Sequence, residues 1–157
     1  MACKLLSIDS SSSSTGYSIF EDGEYSRHGL INLKSVKDSE ERVRKMIAEI
    51  YELIELEKPK IIVTEMTTVT RNAQAQRTLT MVLGAILGKC VEEGIFYYSF
   101  RPTEWRALIS KEKKPRKREE LKLWSIQTVN ELYDIHDAND DESDAILIGQ
   151  AYVNKFS

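Results

Sequence analysis

Residues 5–20 read LLSIDSSSSSTGYSIF, and the interpretation of this stretch decides the fold. Two apolar, β-prone runs, Leu5–Ile8 and Tyr17–Phe20, flank five serines and the step Thr15-Gly16. Composition alone would make the serines a flexible linker. Set between two strand-like runs they form a tight functional turn, so residues 4–9 and 15–21 are expected to pair as strands. Asp9 stands where the first strand ends. A carboxylate closing an apolar strand costs several kcal/mol if it is desolvated and unpaired, so its presence points to chemistry rather than packing.

Working outward, Glu21-Asp22-Gly23 supplies a second turn into a strand at 25–33. A helix over 39–57 follows, capped by Asp38 or Ser39, with Val43, Met46, Ile47, Ile50, Leu53 and Ile54 on one stripe. Pro59 ends it and introduces strand 60–66, whose Ile61-Ile62-Val63 run implies burial on both faces. A second helix at 71–93 carries Leu79, Val82, Leu83, Ile86, Leu87 and Cys90 on its apolar side and is closed by Gly94. Strand 95–100 leads to a helix start at Pro102. Helices at 116–133 and from Asn139 or Asp140 to about 154 complete the chain. No repeat or linker interrupts this order, which predicts one domain over residues 1–157. Its class is an α/β sandwich around a mixed five-stranded sheet: three antiparallel strands, then two parallel ones, with helices on both faces.

Glu65 in IIVTEM closes a strand as Asp9 does, and Asp141 and Asp144 in DDESDAILIG lie three apart at a helix start. Acids in a first helical turn gain about 0.3–1 kcal/mol from the dipole alone, but Asp140 and Glu142 already serve that purpose. Four carboxylates gathered at one sheet edge would repel strongly without divalent cations. Oxygen donors suit Mg²⁺ or Mn²⁺, and two such ions about 4 Å apart can clamp both the attacking and the leaving oxygen of a phosphodiester. The residues therefore imply metal-dependent cleavage of nucleic acid.

Composition narrows the partners. With 41% hydrophobic and 30% charged residues the chain is ordinary for a globular protein. No apolar stretch approaches the roughly 20 residues of a membrane span, and MACKLLSID enters a strand without a signal peptide. Cys3 and Cys90 are expected to be reduced and buried, which fits the cytoplasm. Net charge is −3, yet Lys111–Arg118 (KEKKPRKR) holds +5, which leaves −8 for the remainder. The expected phosphate-binding residues are Lys111, Lys113, Lys114, Arg116, Lys117 and Arg118, with Arg71 after the second acidic strand. Asp134, Asp137 and Asp140 are assigned to the surface. His28 and His136 lack partners at metal-ligand spacing, and Trp105 and Trp124 are assigned to core or interface.

Element order and motifs together resemble the ribonuclease H-like superfamily and, within it, the RuvC Holliday-junction resolvases. Ile8-Asp9 with Thr15-Gly16 matches the family's opening motif, Thr64-Glu65 its second acid, Asp141, Asp144 and Ala145 its closing helix, and Asn72-Ala73 its asparagine-alanine step. The resemblance covers nearly the whole chain. It implies a homodimer that nicks four-way DNA junctions symmetrically, leaves 5′-phosphate ends, and uses two Mg²⁺ or Mn²⁺ ions held by Asp9, Glu65, Asp141 and Asp144. It also implies that Arg118, or its neighbour Lys117, neutralises transition-state charge. Three positions depart from the pattern. Thr68 stands where the family often has an aromatic, serines replace a glycine after the first acid, and Glu104, with Arg106 nearby, replaces a lysine. These departures suggest a divergent, phage-borne member of a bacterial-cell family, with forks and flaps as further substrates. The alternatives are a non-catalytic branched-DNA-binding protein of the same fold and a related nuclease acting on RNA. An actin-like phosphotransferase would need two lobes and phosphate-admitting glycines that this chain lacks.

Overall fold

The computed structural model describes residues 3–68 and 71–157. The elements run β1 (Lys4–Ser10), β2 (Ser14–Glu21), β3 (Glu24–Asn32), α1 (Ser39–Glu57), β4 (Ile61–Glu65), α2 (Ala73–Glu93), β5 (Phe96–Phe100), α3 (Pro102–Ile109), α4 (Arg118–Tyr133) and α5 (Asp140–Phe156). The sheet order is β3-β2-β1-β4-β5. β1, β2 and β3 are antiparallel neighbours, whereas β4 and β5 run parallel to β1. This is the expected ribonuclease H-like architecture.

Local chemistry explains the boundaries. Asp22 and Gly23 both have positive φ, 54° and 85°, as a two-residue hairpin turn between right-twisted strands requires. Asp38 accepts a hydrogen bond from the Glu41 amide at 2.9 Å and starts α1. Asn72 accepts from the Ala75 amide at 3.1 Å, so α2 begins at 73 rather than 71. Gly94, at φ 68°, closes it. A capping box of Asn139 and Glu142 starts α5. Helix α4 opens at Arg118, not 116, which leaves Arg116 and Lys117 in the preceding loop.

The pleat sends alternate residues into two cores. Leu6, Ile8, Ile19 and Ile62 meet α1 and α2. Leu5, Phe20, Val63 and Phe100 meet α3, α4 and α5 through Trp105, Val129, Ile146 and Leu147. Two expectations on packing, for Leu87 and Cys3, are corrected. Leu87 is 45% exposed, because Thr78, Val82, Ile86, Lys89 and Cys90 occupy the inner face of α2. Thr78 on that face is buried with its hydroxyl donating to the Gln74 carbonyl. Cys3 is half-buried while Cys90 is buried. Among the described residues no helix is long and apolar enough to cross a membrane.

Candidate active site

The register brings the first two acids side by side. Ile8 pairs with Thr64 across the parallel β1–β4 ladder, so Asp9 and Glu65 are the next residues of adjacent strands. Neighbouring strands lie about 4.8 Å apart, which sets the scale of their separation. Leu5 and Ser7 on β1 and Val63 on β4 face α5, and alternation sends Asp9 and Glu65 to that same face.

Helix α5 delivers the other two. Asp9 is opposite Gly16 on β2. A Cβ at Gly16 would lie 2.3 Å from the Asp141 carbonyl carbon and oxygen and 2.6 Å from the Glu142 nitrogen. Only glycine lets the first turn of α5 rest on the strand. Further along, the Ser7 and Ser18 hydroxyls hold the Ala145 carbonyl, the latter at 3.1 Å. A Cβ at Gly149 would strike the Phe20 ring at 2.4 Å. These contacts fix the helix over β1 and β2 and place Asp141 and Asp144 beside the strand-end acids.

Two of the carboxylates have side-chain donors, while Asp9 lies in the field of Asp144, Glu65 and Asp141. Trp105 Nε1 donates to Glu65 Oε2 at 2.6 Å, and Ser14 Oγ donates to Asp141 Oδ2 at 2.7 Å. Asp144 Oδ1 is buried and has no hydrogen-bond partner among the described residues. Burial, then the charges of Asp144, Glu65 and Asp141, push Asp9 well above the usual carboxylate range. Burial raises Glu65 against the opposing Trp105 hydrogen bond and Arg106 charge. Burial likewise raises Asp141, against Ser14, Lys34 and Lys122. Asp144 is pushed up to about 7, chiefly by burial, with Glu65 adding and Ser125 and Arg106 opposing.

The donor set fits a divalent cation. It is all hard oxygen, it carries more negative charge than nearby side chains balance, and it includes a buried oxygen with nothing to bind. No three His, Cys, Asp or Glu side chains among the described residues already form an ion cage. Trp105 holds Glu65 and Ser14 holds Asp141, each by one hydrogen bond.

Arg118 does not join the cluster. It is exposed at the start of α4, and the cations acting on the acids are Arg106, Lys34 and Lys122. Lys111, Lys113, Arg116, Lys117 and Arg71 are exposed; Lys114 is half-buried and donates to the Ser110 carbonyl. Asp134 and Asp137 are solvated as expected, while Asp140 is one-third exposed and lies 3.8 Å from Lys122. His28 packs against Tyr25 and approaches Glu142 at 3.3 Å, a structural role. Sequence reasoning did not place Trp105, Arg106, Ser14 or Ser125 at the site. A buried indole normally requires an acceptor, and that signal could have pointed to Trp105.

The family model for crossover junction endodeoxyribonuclease RuvC matches residues 5–151. The RuvC of Halorhodospira halophila is 30% identical over 110 residues, covering 68% of this chain and 66% of its own length. That of Chlorobium chlorochromatii is 26% identical over 142 residues, 85% of this chain and 74% of the relative. Among solved structures, Thermus thermophilus RuvC in complex with Holliday junction substrate superimposes with a TM-score of 0.73 at 16% identity, over 97% of this chain and 93% of that one. The yeast mitochondrial Holliday junction resolvase gives 0.67 at 15% identity, over 97% and 79%. At these identities the structures speak for the fold, and the family match for kinship: the chain belongs to the RuvC family of crossover junction endodeoxyribonucleases.

Proposed function

We propose that this protein is a divalent-metal-dependent endonuclease that nicks four-way DNA junctions, leaving 5′-phosphate and 3′-hydroxyl ends. The observation that carries this reading is the gathering of four half-buried carboxylates on one face of the sheet, with Asp144 pushed up to about 7 and Asp9 raised as well. A fold does not invest in that repulsion for stability. Asp9, Glu65, Asp141 and Asp144 would hold Mg²⁺ or Mn²⁺. Bound there, the ions supply Lewis-acid activation of water and charge stabilisation at the departing 3′ oxygen.

The chain's own groups position the reaction. Ser14 and Trp105 fix the Asp141 and Glu65 carboxylates, and Arg106 sits within the field of Glu65 and Asp144. The exposed loop 111–118, with Arg71, binds phosphates of the junction arms without reading bases. The protein acts as a homodimer through the outer face of α2. Met81, Leu87 and Val91 are exposed there, and Gly84 and Gly88 have open space above them. Two sites related by a twofold axis match the symmetry of a junction.

A panel of labelled four-way junction, fork, flap, duplex and RNA–DNA hybrid, each with Mg²⁺ or with EDTA, tests this. Paired nicks in the junction with Mg²⁺ and none with EDTA are expected. Junction binding without cutting, even in Mn²⁺, would make the protein a non-catalytic binder, and preferential cutting of the hybrid would make it an RNA-directed nuclease.

A further inference from the structure

Helix α3 has only eight residues, yet it carries one of the largest fully buried side chains, Trp105. The residue is 0% exposed, and its ring meets Trp124 of α4 at a centroid distance of 6.3 Å. Its polar atom is not spent on backbone. Nε1 reaches Glu65 Oε2 at 2.6 Å, a contact between residues 40 apart in sequence. On the other side the Arg106 guanidinium lies 4.9 Å from the Trp105 ring centroid. The Arg106 Nε atom is itself buried with no partner among the described residues. An indole N–H only donates, so it holds an ionised carboxylate and cannot lend it a lone pair. A cation over the ring draws electron density from it and favours a polar N–H.

We propose that Trp105 is a positioning residue for the candidate metal ligand Glu65: its N–H fixes one carboxyl oxygen, and with it the rotamer that the carboxylate presents to the cation. The inference rests on the metal-dependent reading of the site. Glu65 ends its strand, and the chain beyond it at 66–68 has no regular structure, so the strand alone leaves its long side chain several rotamers. Packing in the second core immobilises Trp105, and Trp105 passes that rigidity to Glu65. Hydrogen bonds of this kind to metal-binding side chains are typically worth 10–100-fold in metal affinity or activity. Trp124 packs at a tilt against the same ring, and among the described residues no hydrogen bond joins it to the acids. It is the internal control.

The test replaces Trp105 by β-(3-benzothienyl)alanine, which keeps the bicyclic shape and exchanges N–H for sulfur, alongside Trp105→Phe and Trp124→Phe. Calorimetric titration with Mn²⁺, without DNA, reads metal affinity directly, and circular dichroism confirms folding. The isostere should weaken Mn²⁺ binding by about 10–100-fold while junction affinity in EDTA stays within twofold. Trp124→Phe should bind Mn²⁺ as the parent protein does. Equal Mn²⁺ affinity for parent and isostere would overturn the proposal and leave the metal site standing. Absence of Mn²⁺ binding by the parent would overturn both. Should Trp105→Phe fail to fold, the isostere still decides, because it removes only the hydrogen bond.

Discussion

Asp144 shows how a single residue couples the site to the fold. Burial pushes its carboxyl up to about 7 from the ordinary 3.8. A proton is therefore held more tightly in the folded than in the unfolded state. The associated stability is complete below about pH 4 and is lost as pH rises towards 7. Asp9 is shifted in the same direction. In EDTA the thermal midpoint should fall from pH 5 to pH 7.5. Asp144→Asn should flatten that slope, and millimolar Mn²⁺ should restore the midpoint at pH 7.5 by taking the proton's place. A variant whose midpoint tracks the parent at every pH would refute the assignment. Asp9→Asn should reduce nicking to background while junction affinity stays level or rises, since one negative charge facing phosphate is gone; near-parental nicking would remove Asp9 from the site. Asp9 and Glu65 stood out in the sequence because a carboxylate ending an apolar strand has few structural excuses, and Asp141 and Asp144 because Asp140 and Glu142 already serve the helix dipole. The partners did not. Which donor meets Glu65 depends on how α3 packs against α5 in the second core, and no local pattern near Thr64-Glu65 encodes a tryptophan 40 residues away.

At the scale of elements, the site exists because α5 lies directly on β2, and Gly16 permits that approach. Gly16→Ala would place a methyl 2.3 Å from the Asp141 backbone, so the first turn of α5 must lift. Overpacking of this kind costs about 1–3 kcal/mol. The loss of nicking should exceed the loss of stability, as Asp141 and Asp144 move together; a destabilised variant with full activity per folded molecule would show that the helix start tolerates displacement. The sequence marked Gly16 through the turn beside the serine run, but not its contact with α5, which is a matter of layer packing. The basic loop is the second case. Lys113, Lys114, Lys117 and Arg118 replaced together by Ala should weaken binding to all DNA forms without changing their order. Each lost phosphate contact should reduce the salt slope of log affinity by roughly 0.9. The resemblance gave Arg118 a role at the scissile phosphate. Its exposed place at the start of α4, outside the set of cations acting on the acids, makes Arg118→Ala an affinity defect like its neighbours. Single-turnover rates at saturating protein separate the two: a lowered rate would return Arg118 to the chemistry.

For the whole molecule, the elements and the mixed five-stranded sheet followed from hydrophobic periodicity and turn signals, whereas the outer face of α2 was only half visible. Leu87 sits at the border of the apolar stripe, and periodicity assigned it inward; the structure turns it outward with Met81 and Val91. Gly84 and Gly88 lie on the same helix with open space above them, where glycine costs about 1 kcal/mol relative to alanine. That cost is repaid if a second helix must approach closely. Two copies joined there would carry two acid clusters, and a junction offers two equivalent strands to cut. Leu87→Glu and Val91→Glu together change only exposed positions, so the isolated fold should keep its thermal midpoint within a few degrees. Sedimentation with junction bound should then shift from two 18.0 kDa chains plus DNA to one chain plus DNA. On a cruciform plasmid, paired nicking within one binding event should give way to single nicks, because a lone site can reach only one strand. A parent protein that sediments as one chain on the junction at tens of micromolar would refute the dimer. A double variant that still linearises the plasmid in one step would move the interface away from α2.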